Sequence, residues 1–225
     1  MKYKIRNFEH NLIDISIPEE ILHLSERRNL IFDLGCGEGE FILDLAKRDS
    51  SSHFIGIEIK YGRVLKCLKS LEKLNLKNIN FILGDATLII SQFIREGSAK
   101  RFYINNPDPW PKDKHEKNRI INFGFLDHIF NLLSRKGDLV IKSDDLKYID
   151  HIRTEISKSK FKTTFDYKNR GRRQDRKPYY LENGSIYIFS LLHAGIEEIL
   201  QVGQSLTSRH ISSKFFSMKL ISKYL

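Results

Sequence analysis

The chain has 225 residues, and its 38 Lys and Arg against 28 Asp and Glu give a formal net charge of +10. A composition with 40% hydrophobic and 29% charged residues excludes a mostly disordered chain, a collagen-like chain and a disulfide scaffold. No apolar run approaches the roughly 20 residues of a membrane-spanning helix, and the amino terminus shows no apolar secretion segment. The two cysteines form no CxxC motif. We therefore expect a cytoplasmic protein that needs no membrane and no metal, and the positive charge favours an anionic partner.

Short apolar segments alternate with longer amphipathic segments between residues 29 and 158. In chain order they predict strands at 29–34, 53–57, 80–83, 101–105 and 138–143, each followed by a helix, at 41–46, 64–74, 88–95, 120–133 and 146–158. Two late strands follow at 161–167 and 185–191, with no clear helix between them. The alternation predicts an α/β, Rossmann-like fold: a mostly parallel, seven-stranded sheet with helices on both faces and an antiparallel strand at one edge.

The two ends of the chain differ from this central domain, which we place at residues 28–193. Residues 1–27 form a mixed, polar amino-terminal segment with a possible short helix at Pro18–Ser25. Residues 194–225 carry apolar side chains at helical spacing, interrupted by Gly203 and a serine-rich stretch. Two short helices or a mobile tail would both fit this pattern, and it suggests no function.

A glycine-rich turn, Asp33–Gly39, joins the first predicted strand to the first helix. Glycines such as Gly35 and Gly37 permit a tight turn and let a ligand approach the backbone, while the helix amino terminus favours negative charge. Ligands of open parallel sheets bind at the carboxyl ends of the strands. A purely structural turn would also show these glycines, so the motif predicts a ligand site only together with its neighbours.

Three acidic residues stand at or just beyond strand ends around this turn. Glu58 ends the second strand, where a carboxylate can accept hydrogen bonds from ribose hydroxyls. Asp85 follows the third strand and can accept from an adenine amino group. Asp33 precedes the glycines, where it suits the cationic methionine end of S-adenosylmethionine better than a pyrophosphate. Each acid alone could be a solvated loop residue, but together they predict S-adenosylmethionine as the cofactor.

The loop after the fourth strand, within RFYINNPDPWPKDKHEKNR (residues 101–119), combines proline, acid, tryptophan and basic residues. Asn105 ends the strand, Asp108 stands between two prolines, and Trp110 is the single tryptophan. The basic and titratable side chains that follow are Lys112, Lys114, His115, Lys117 and Arg119. Prolines stiffen the loop and can hold Asp108 and Trp110 at the edge of the cofactor. A proline-rich turn with solvated lysines is the alternative, but the position of the loop favours contact with phosphates.

These segments resemble the bacterial tRNA (guanine-N7-)-methyltransferase family. The matching segments are Asp33–Gly39, Gly56–Glu58, Gly84–Ala86, Asn105–Lys112 with His115–Lys117, and Ile141–Asp144. The resemblance covers roughly residues 28–193, and its DPWPK…H motif is highly specific. It implies a methyltransferase domain of the Rossmann-like class, with methyl transfer from S-adenosylmethionine to N7 of guanine 46 in the variable loop of tRNA. Whether such an enzyme is a monomer or a homodimer stays open.

The resemblance also implies roles for individual residues. Asp108 would be the catalytic residue, between cofactor and guanine, and Lys112 and Asp144 would contact the substrate. The implied cofactor-binding residues are Asp33, Gly35, Gly37, Glu58, Asp85, Asn105 and Asp108. Asp33 stands where many members of the family have Glu, and Tyr179–Glu182 keeps the acid but not the threonine of the family's Thr-x-x-Glu element.

The chemistry of guanine N7 sets what such a site must do. N7 carries an exposed lone pair, so it needs no proton removed before it attacks a methyl group, and catalysis is chiefly positioning. Asp108 could accept from guanine N1–H and its amino group, which would offset the developing positive charge, or it could contact the cofactor. Trp110 could be a wall of the base site or part of the core. His115 could orient a phosphate or the loop backbone.

A second basic cluster, at 170–177, includes Arg172 and Arg173. It could contact tRNA or form a solvated loop. Two other functions compete with the main prediction. One is a Rossmann-like methyltransferase acting on an amino nitrogen, whose (Asp/Asn)-Pro-Pro-aromatic motif the Asn106–Trp110 segment only loosely matches. The other is a non-enzymatic, basic RNA-binding module.

Overall fold

A computed structural model describes residues 12–13, 29–170 and 185–192 of the chain. Its strands are β1 (Leu12–Ile13), β2 (Leu30–Leu34), β3 (His53–Glu58), β4 (Ile79–Leu83), β5 (Ala99–Asn105), β6 (Leu133–Ser143), β7 (Lys162–Arg170) and β8 (Ser185–Leu192). Its α-helices are α1 (Glu40–Arg48), α2 (Tyr61–Leu74), α3 (Ala86–Phe93), α4 (Phe123–Leu132) and α5 (Leu146–Lys158), and a 3-10 helix spans Asp113–Asn118. The predicted alternation of strands and helices is confirmed.

The strands form one sheet in the order β1-β4-β3-β2-β5-β6-β8-β7. From β1 to β6 every neighbouring pair is parallel, so the predicted mostly parallel, Rossmann-like sheet is confirmed. The predicted count of seven strands is wrong, because the short β1 adds a strand beside β4. The predicted antiparallel edge strand is also wrong in detail. The strand that runs against the others is β8, which lies between β6 and the edge strand β7.

Strand β2 is the point at which the strand order reverses. The chain runs from β2 to β3 and β4 on one side, and then crosses to β5 on the other side of β2. Open parallel sheets bind their ligands at the carboxyl ends of the strands beside such a reversal. The sheet therefore places the glycine turn after β2 and the proline-rich loop after β5 at the same opening.

Alternating side chains on the strands build one apolar layer on each face of the sheet. On one face, Leu30 and Phe32 of β2 pack with buried residues of α3, α4 and α5, and the Phe32 and Phe102 rings stack at 4.9 Å. On the other face, Ile31 of β2 packs with buried residues of α1 and α2. The predicted helices on both faces are confirmed, and burial of both faces explains why the strands read as near-continuous apolar runs.

A buried ion pair joins β5 to β6 within the layer that faces α1 and α2. The Arg101 guanidinium donates to Asp138 through Nε–Oδ1 at 2.6 Å and Nη2–Oδ2 at 2.8 Å, and Nη1 donates to the Tyr103 hydroxyl at 3.0 Å. Bidentate arginine–carboxylate pairs fix geometry as well as charge. The pair holds the two strands in register below their carboxyl ends.

Element boundaries differ from prediction where polar contacts decide them. Helix α3 begins at Ala86 rather than at residue 88, because the Asp85 carboxylate accepts hydrogen bonds from the backbone N–H groups of Thr87 and Leu88. Strand β6 begins at Leu133 rather than at 138, because Leu133 pairs with Ala99 of β5 ahead of a register shift. The helix expected at Pro18–Ser25 and the helical pattern of 194–225 lie outside the described residues, so the division at residues 27 and 193 stays a prediction.

Candidate active site

A cleft of about 790 Å³ opens at the carboxyl ends of the parallel strands. Its walls are the ends of β2, β3 and β5 and the loops that follow β3, β4 and β5. Predicted site residues that line it are Gly35, Glu58, Asp85, Asn105, Asp108 and Trp110. Asp33 and Gly37 do not line the cleft, but each is hydrogen-bonded to a residue that does. The structure therefore brings the predicted cofactor residues into one place.

The glycine turn is held against β3 by its backbone. The N–H groups of Gly35 and Cys36 both donate to the carbonyl of Ile57, at 2.9 and 3.0 Å. Gly35 and Gly37 have φ values of +75° and +60°, which side-chain-bearing residues rarely adopt. A Cβ at either glycine would meet no atom within 4 Å. The glycines are thus required for the backbone conformation, and the space before them is open to a ligand.

Glu58 is buried, and its carboxylate connects the glycine turn to the start of α2. Oε2 accepts from the Gly37 N–H at 3.0 Å, and Oε1 accepts from the Lys60 N–H at 2.8 Å. The Arg63 guanidinium, which sequence reasoning missed, lies 3.6 Å from Oε2. A carboxylate offers about four lone-pair sites. Glu58 is therefore oriented by the protein and can still accept hydrogen bonds from two hydroxyls of a ligand.

Asp85 combines a capping contact with a place in the cleft. Its Oδ1 accepts from the N–H groups of Thr87 and Leu88 at 2.8 and 3.1 Å, and also from the Thr87 hydroxyl. These hydrogen bonds, that from the Thr87 side chain most of all, lower the pKa of Asp85 below its usual value. Oδ2 takes part in none of the hydrogen bonds that these residues make. It is the atom available to a ligand.

Asp33, which is buried, and Asn105, which is half-buried, form a polar pair between β2 and β5. Asp33 is 1% exposed, and Asn105 Nδ2 donates to its Oδ1 at 3.1 Å. Burial raises the pKa of Asp33 to about 7, the hydrogen bond from Asn105 and the charge of Lys142 oppose that rise, and the charge of Glu58 adds to it. Within the described part of the chain, the buried Asn105 Oδ1 has no hydrogen-bond partner. Buried acceptors without a donor are rare in proteins, so Asn105 Oδ1 is a candidate contact for a donor group of a ligand.

Lys142 belongs to this site, although the sequence prediction gave it no role. It pairs in register with Asn105, and its ammonium group lies 4.8 Å from the centre of the Phe41 ring. Burial lowers the pKa of Lys142, and the charge of Asp33 opposes that shift. The sequence did contain a signal for this placement. Lys142 is the last residue but one of the apolar strand β6, and Asn105 ends the neighbouring strand β5, so the two residues are expected to lie side by side.

The proline-rich loop after β5 places Asp108 and Trp110 at the mouth of the cleft. Asp108 is exposed and Trp110 is half-buried. Trp110 meets the ring of His115 edge-on at 5.7 Å between centroids. Neither apolar cluster of the described residues includes Trp110, so of its two predicted roles the cleft wall fits the geometry and the core does not.

Arg119 differs from expectation. Sequence reasoning placed it on a phosphate, but its side chain is only 9% exposed. Nε donates to the Pro109 carbonyl at 2.9 Å and Nη1 donates to Glu116 Oε1 at 2.6 Å. Arg119 therefore holds the loop from inside, and the exposed lysine of residues 112–118 that lines the cleft is Lys117.

The structure leaves several predicted substrate contacts outside the cleft. Lys112 and Asp144 are exposed and do not line it. The His115 ring contacts Trp110 rather than the cleft itself. Arg172 and Arg173 lie outside the described residues. The predicted roles of these five residues stay predictions.

In residues 12–13, 29–170 and 185–192, no group of three or more His, Cys, Asp or Glu could hold a metal ion. No described helix has both the length and the apolar character needed to cross a bilayer.

Comparison with known proteins assigns the chain to a family. The family model "Putative methyltransferase" (Methyltransf_4) matches residues 27–180. The tRNA (guanine-N(7)-)-methyltransferase of Prochlorococcus marinus strain NATL1A is 32% identical over 173 residues, which cover 74% of this chain and 79% of the relative. The chain belongs to the tRNA (guanine-N(7)-)-methyltransferase family. The family resemblance predicted from the sequence is confirmed.

Two further matches extend this assignment to a second relative and to the fold. The methyltransferase of the same description from Buchnera aphidicola subsp. Baizongia pistaciae is 40% identical over 115 residues, and the match spans 51% of this chain and 48% of the relative. A solved rRNA methylase from Streptococcus thermophilus superposes with a TM-score of 0.53 at 18% identity, covering 87% of this methyltransferase chain and 99% of that one. The superposition on the rRNA methylase shows that the two proteins share a fold.

Proposed function

We propose that this chain transfers a methyl group from S-adenosylmethionine to N7 of a guanine in tRNA, and that this guanine is at position 46. The observation that supports the proposal most strongly is the convergence of Glu58, Asp85 and Asp108 on one cleft in a chain of this family, with Asp33 behind them on Asn105. The domain that performs the reaction would be residues 28–193, and since tRNA is the substrate we place the reaction in the cytoplasm.

The residues of the cleft fit S-adenosylmethionine. The oriented Glu58 carboxylate keeps acceptor capacity for two ribose hydroxyls. Asp33 and the unpartnered Asn105 Oδ1 form an acceptor-rich position, where an ammonium group would favour the ionised form of Asp33. Asp85 Oδ2 suits an adenine amino group, and the open space before Gly35 and Gly37 admits the chain between the two ends. When bound, the cofactor supplies an electrophilic methyl group next to a positively charged sulfur.

The chain's own residues would orient the guanine. N7 attacks through a lone pair at the base edge, so no residue has to remove a proton from it. Asp108 would accept from guanine N1–H and the amino group, which identifies guanine and offsets the positive charge that develops on the ring. Trp110 would form a wall of the base site. Because the reaction depends on alignment, a loop that holds both residues in fixed positions is its main catalytic device.

The tRNA backbone would meet basic residues around the loop. Lys112 and Lys117 are exposed beside the cleft mouth and would contact phosphates, as would Arg172 and Arg173. Asp144, exposed after β6, would contact the substrate. His115 packs on Trp110 and would keep that ring in place for the base.

A modified-nucleoside assay tests the proposal. The chain is incubated with unmodified tRNA transcript and methyl-labelled S-adenosylmethionine, the RNA is digested, and labelled nucleosides are identified by mass spectrometry. We expect 7-methylguanosine from the wild type and, in the same short incubation, far less from Asp108→Asn. A labelled nucleoside methylated on an amino group would favour the amino-nitrogen alternative. The absence both of label and of cofactor binding in calorimetry would favour the RNA-binding module.

A further inference from the structure

The loop that carries Asp108 has a conformation that is not stabilised by hydrogen bonds between its own backbone groups. Asn106 and Trp110 have φ values of +49° and +45°, in the left-handed region that disfavours residues with side chains. Pro107, Pro109 and Pro111 have no N–H group. Among the described residues, no backbone–backbone hydrogen bond involves residues 107–111. Contacts from elsewhere must therefore keep this segment in place.

The contact that does so comes from Arg119. Its Nε donates to the carbonyl of Pro109, the residue between Asp108 and Trp110, at 2.9 Å. The side chain is 9% exposed and lines the inner wall of the cleft. A hydrogen bond from a charged donor in a buried setting is among the stronger kinds. Fixing this one carbonyl restrains the residues on both sides of it.

Arg119 is itself anchored to α5. Its Nη1 donates to Glu116 Oε1 at 2.6 Å, and its guanidinium lies 5.5 Å from the centre of the Tyr148 ring. The same Glu116 oxygen is 3.2 Å from His151 Nδ1, and His151 Nε2 lies 2.8 Å from the Ile121 carbonyl. The guanidinium thus stands between the loop and a helix that packs in the apolar core.

Asp108 and Arg119 also act electrostatically on the same neighbour. Burial raises the pKa of Tyr148 to about 12, the charge of Arg119 opposes the rise and the charge of Asp108 adds to it. Both charges therefore reach the Tyr148 ring.

We propose that Arg119 is a positioning residue for methyl transfer: by holding the Pro109 carbonyl it sets where Asp108 and Trp110 meet the guanine. This inference rests on the proposed function. Only arginine suits the position, because two N–H groups of its planar guanidinium donate to the Pro109 carbonyl and to Glu116 at the same time. Lysine has a single ammonium group and lacks this geometry. The competing role is that of a phosphate contact for tRNA.

The test compares Arg119→Gln and Arg119→Lys with the wild type, and Arg95→Gln serves as a control for loss of an exposed arginine away from the cleft. Single-turnover rate, KM for tRNA, calorimetric affinity for S-adenosylmethionine and melting temperature are measured for each. Misplacing a reacting group by about an ångström can cost on the order of 100-fold in rate. We expect a fall of that size for both Arg119 variants, with cofactor affinity within about twofold of wild type. Arg95→Gln should behave like the wild type.

Two further variants keep the test valid if Arg119 substitutions unfold the chain. Glu116→Gln alters a half-exposed residue that anchors the guanidinium, and we expect a several-fold fall in rate without loss of fold. Arg119→Ala should regain part of its rate when guanidinium ion is added at millimolar concentration. Unchanged rates in Arg119→Gln and Glu116→Gln, or a rise in KM for tRNA with the rate preserved, would overturn the positioning role. A wild type that makes no 7-methylguanosine would instead overturn the proposed function.

Discussion

The two sides of the cleft are held in different ways. On the cofactor side, Asp33 and Glu58 are buried at the ends of adjacent parallel strands, and backbone N–H groups orient the Glu58 carboxylate. On the substrate side, Asp108 is exposed on a loop with two left-handed residues, fixed through the side chain of Arg119. The cofactor side is thus built from the strands of the sheet itself, whereas the substrate side is a loop outside the sheet that a side chain holds in place.

This difference tells where the site tolerates change. The cofactor side depends on hydrogen bonds that form when the sheet forms, so substitutions there should affect binding and stability together. The substrate side depends on a few side-chain contacts, so substitutions there should affect the rate while the fold and the cofactor affinity are kept. Variants on each side, measured for rate, cofactor affinity and stability, therefore separate these two behaviours.

Asp108→Asn should give the largest effect. The amide keeps the shape of the side chain but removes the negative charge that would offset charge on the guanine ring. Loss of one such electrostatic group lowers the rate by about 100- to 1,000-fold. Single-turnover methylation and calorimetry measure the rate and the cofactor affinity separately. If cofactor affinity falls as much as the rate, Asp108 belongs to the cofactor side and the comparison fails.

Asp33→Asn should change how stability depends on pH. The pKa of Asp33 is raised to about 7 in the folded chain from an ordinary value of 3.8. The folded state therefore holds a proton that the unfolded state has lost, and stability falls as pH rises from about 4 to about 7. The variant has no such loss. Its free energy of unfolding, relative to wild type, should rise by about 2–3 kcal/mol between pH 5 and pH 8.

Urea unfolding at the two pH values, without cofactor, measures this difference. Glu155→Gln is a control, because hydrogen bonding to Lys158 lowers the pKa of Glu155, opposite in direction to the shift of Asp33. A constant difference between Asp33→Asn and wild type would mean that Asp33 is ionised throughout this range. We expect Asp33→Asn also to weaken binding of S-adenosylmethionine, whose ammonium group favours a carboxylate.

Glu58→Gln should weaken cofactor binding about tenfold. One amide oxygen replaces two carboxylate oxygens, so the side chain can no longer accept from Gly37, from Lys60 and from a ribose at the same time. Calorimetry gives the dissociation constant, and the melting temperature reports whether the glycine turn has loosened. Arg63→Gln, which removes only the partly exposed cation beside Glu58, should have a smaller effect. Equal affinities for Glu58→Gln and wild type would contradict the assignment of Glu58 to the cofactor.

Charge reversal at Arg172 and Arg173 should give the smallest effect, confined to tRNA affinity. Each phosphate contact adds about 0.7–0.9 to the slope of log affinity against log salt concentration. The double variant should therefore flatten that slope, with cofactor affinity unchanged. Filter binding over a range of salt concentrations gives the slope, with Arg95→Glu as the matched control. An unchanged slope would mean that the basic cluster at 170–177 is a solvated loop that does not contact tRNA.

Sequence patterns predicted the sheet, and the positions of the acids around the glycine turn, better than the positions of residues in the loop after β5. Buried strands read as apolar runs, and strand ends follow from where those runs stop, so Asp33, Glu58 and Asn105 could be placed near one another. The two-residue β1 has no periodic pattern and escaped detection. The position of β8 inside the sheet depends on long-range pairing, which no local pattern encodes.

The substrate side shows where such reasoning ends. Arg119 stands in a run of exposed basic residues, and composition alone assigns it to solvent or phosphate. Its burial depends on how the 3-10 helix turns it under the loop and on Tyr148 and His151, which come from a helix far along the chain. Residue type and spacing carry no information about that tertiary contact.

The most direct test of the central claim replaces a single atom of the substrate. Two tRNA transcripts are prepared, one with guanosine and one with 7-deazaguanosine at position 46, and both are incubated with the chain and methyl-labelled S-adenosylmethionine. The account predicts label in the first transcript and none in the second, because the second lacks the N7 lone pair. Equal labelling of the two transcripts would contradict it.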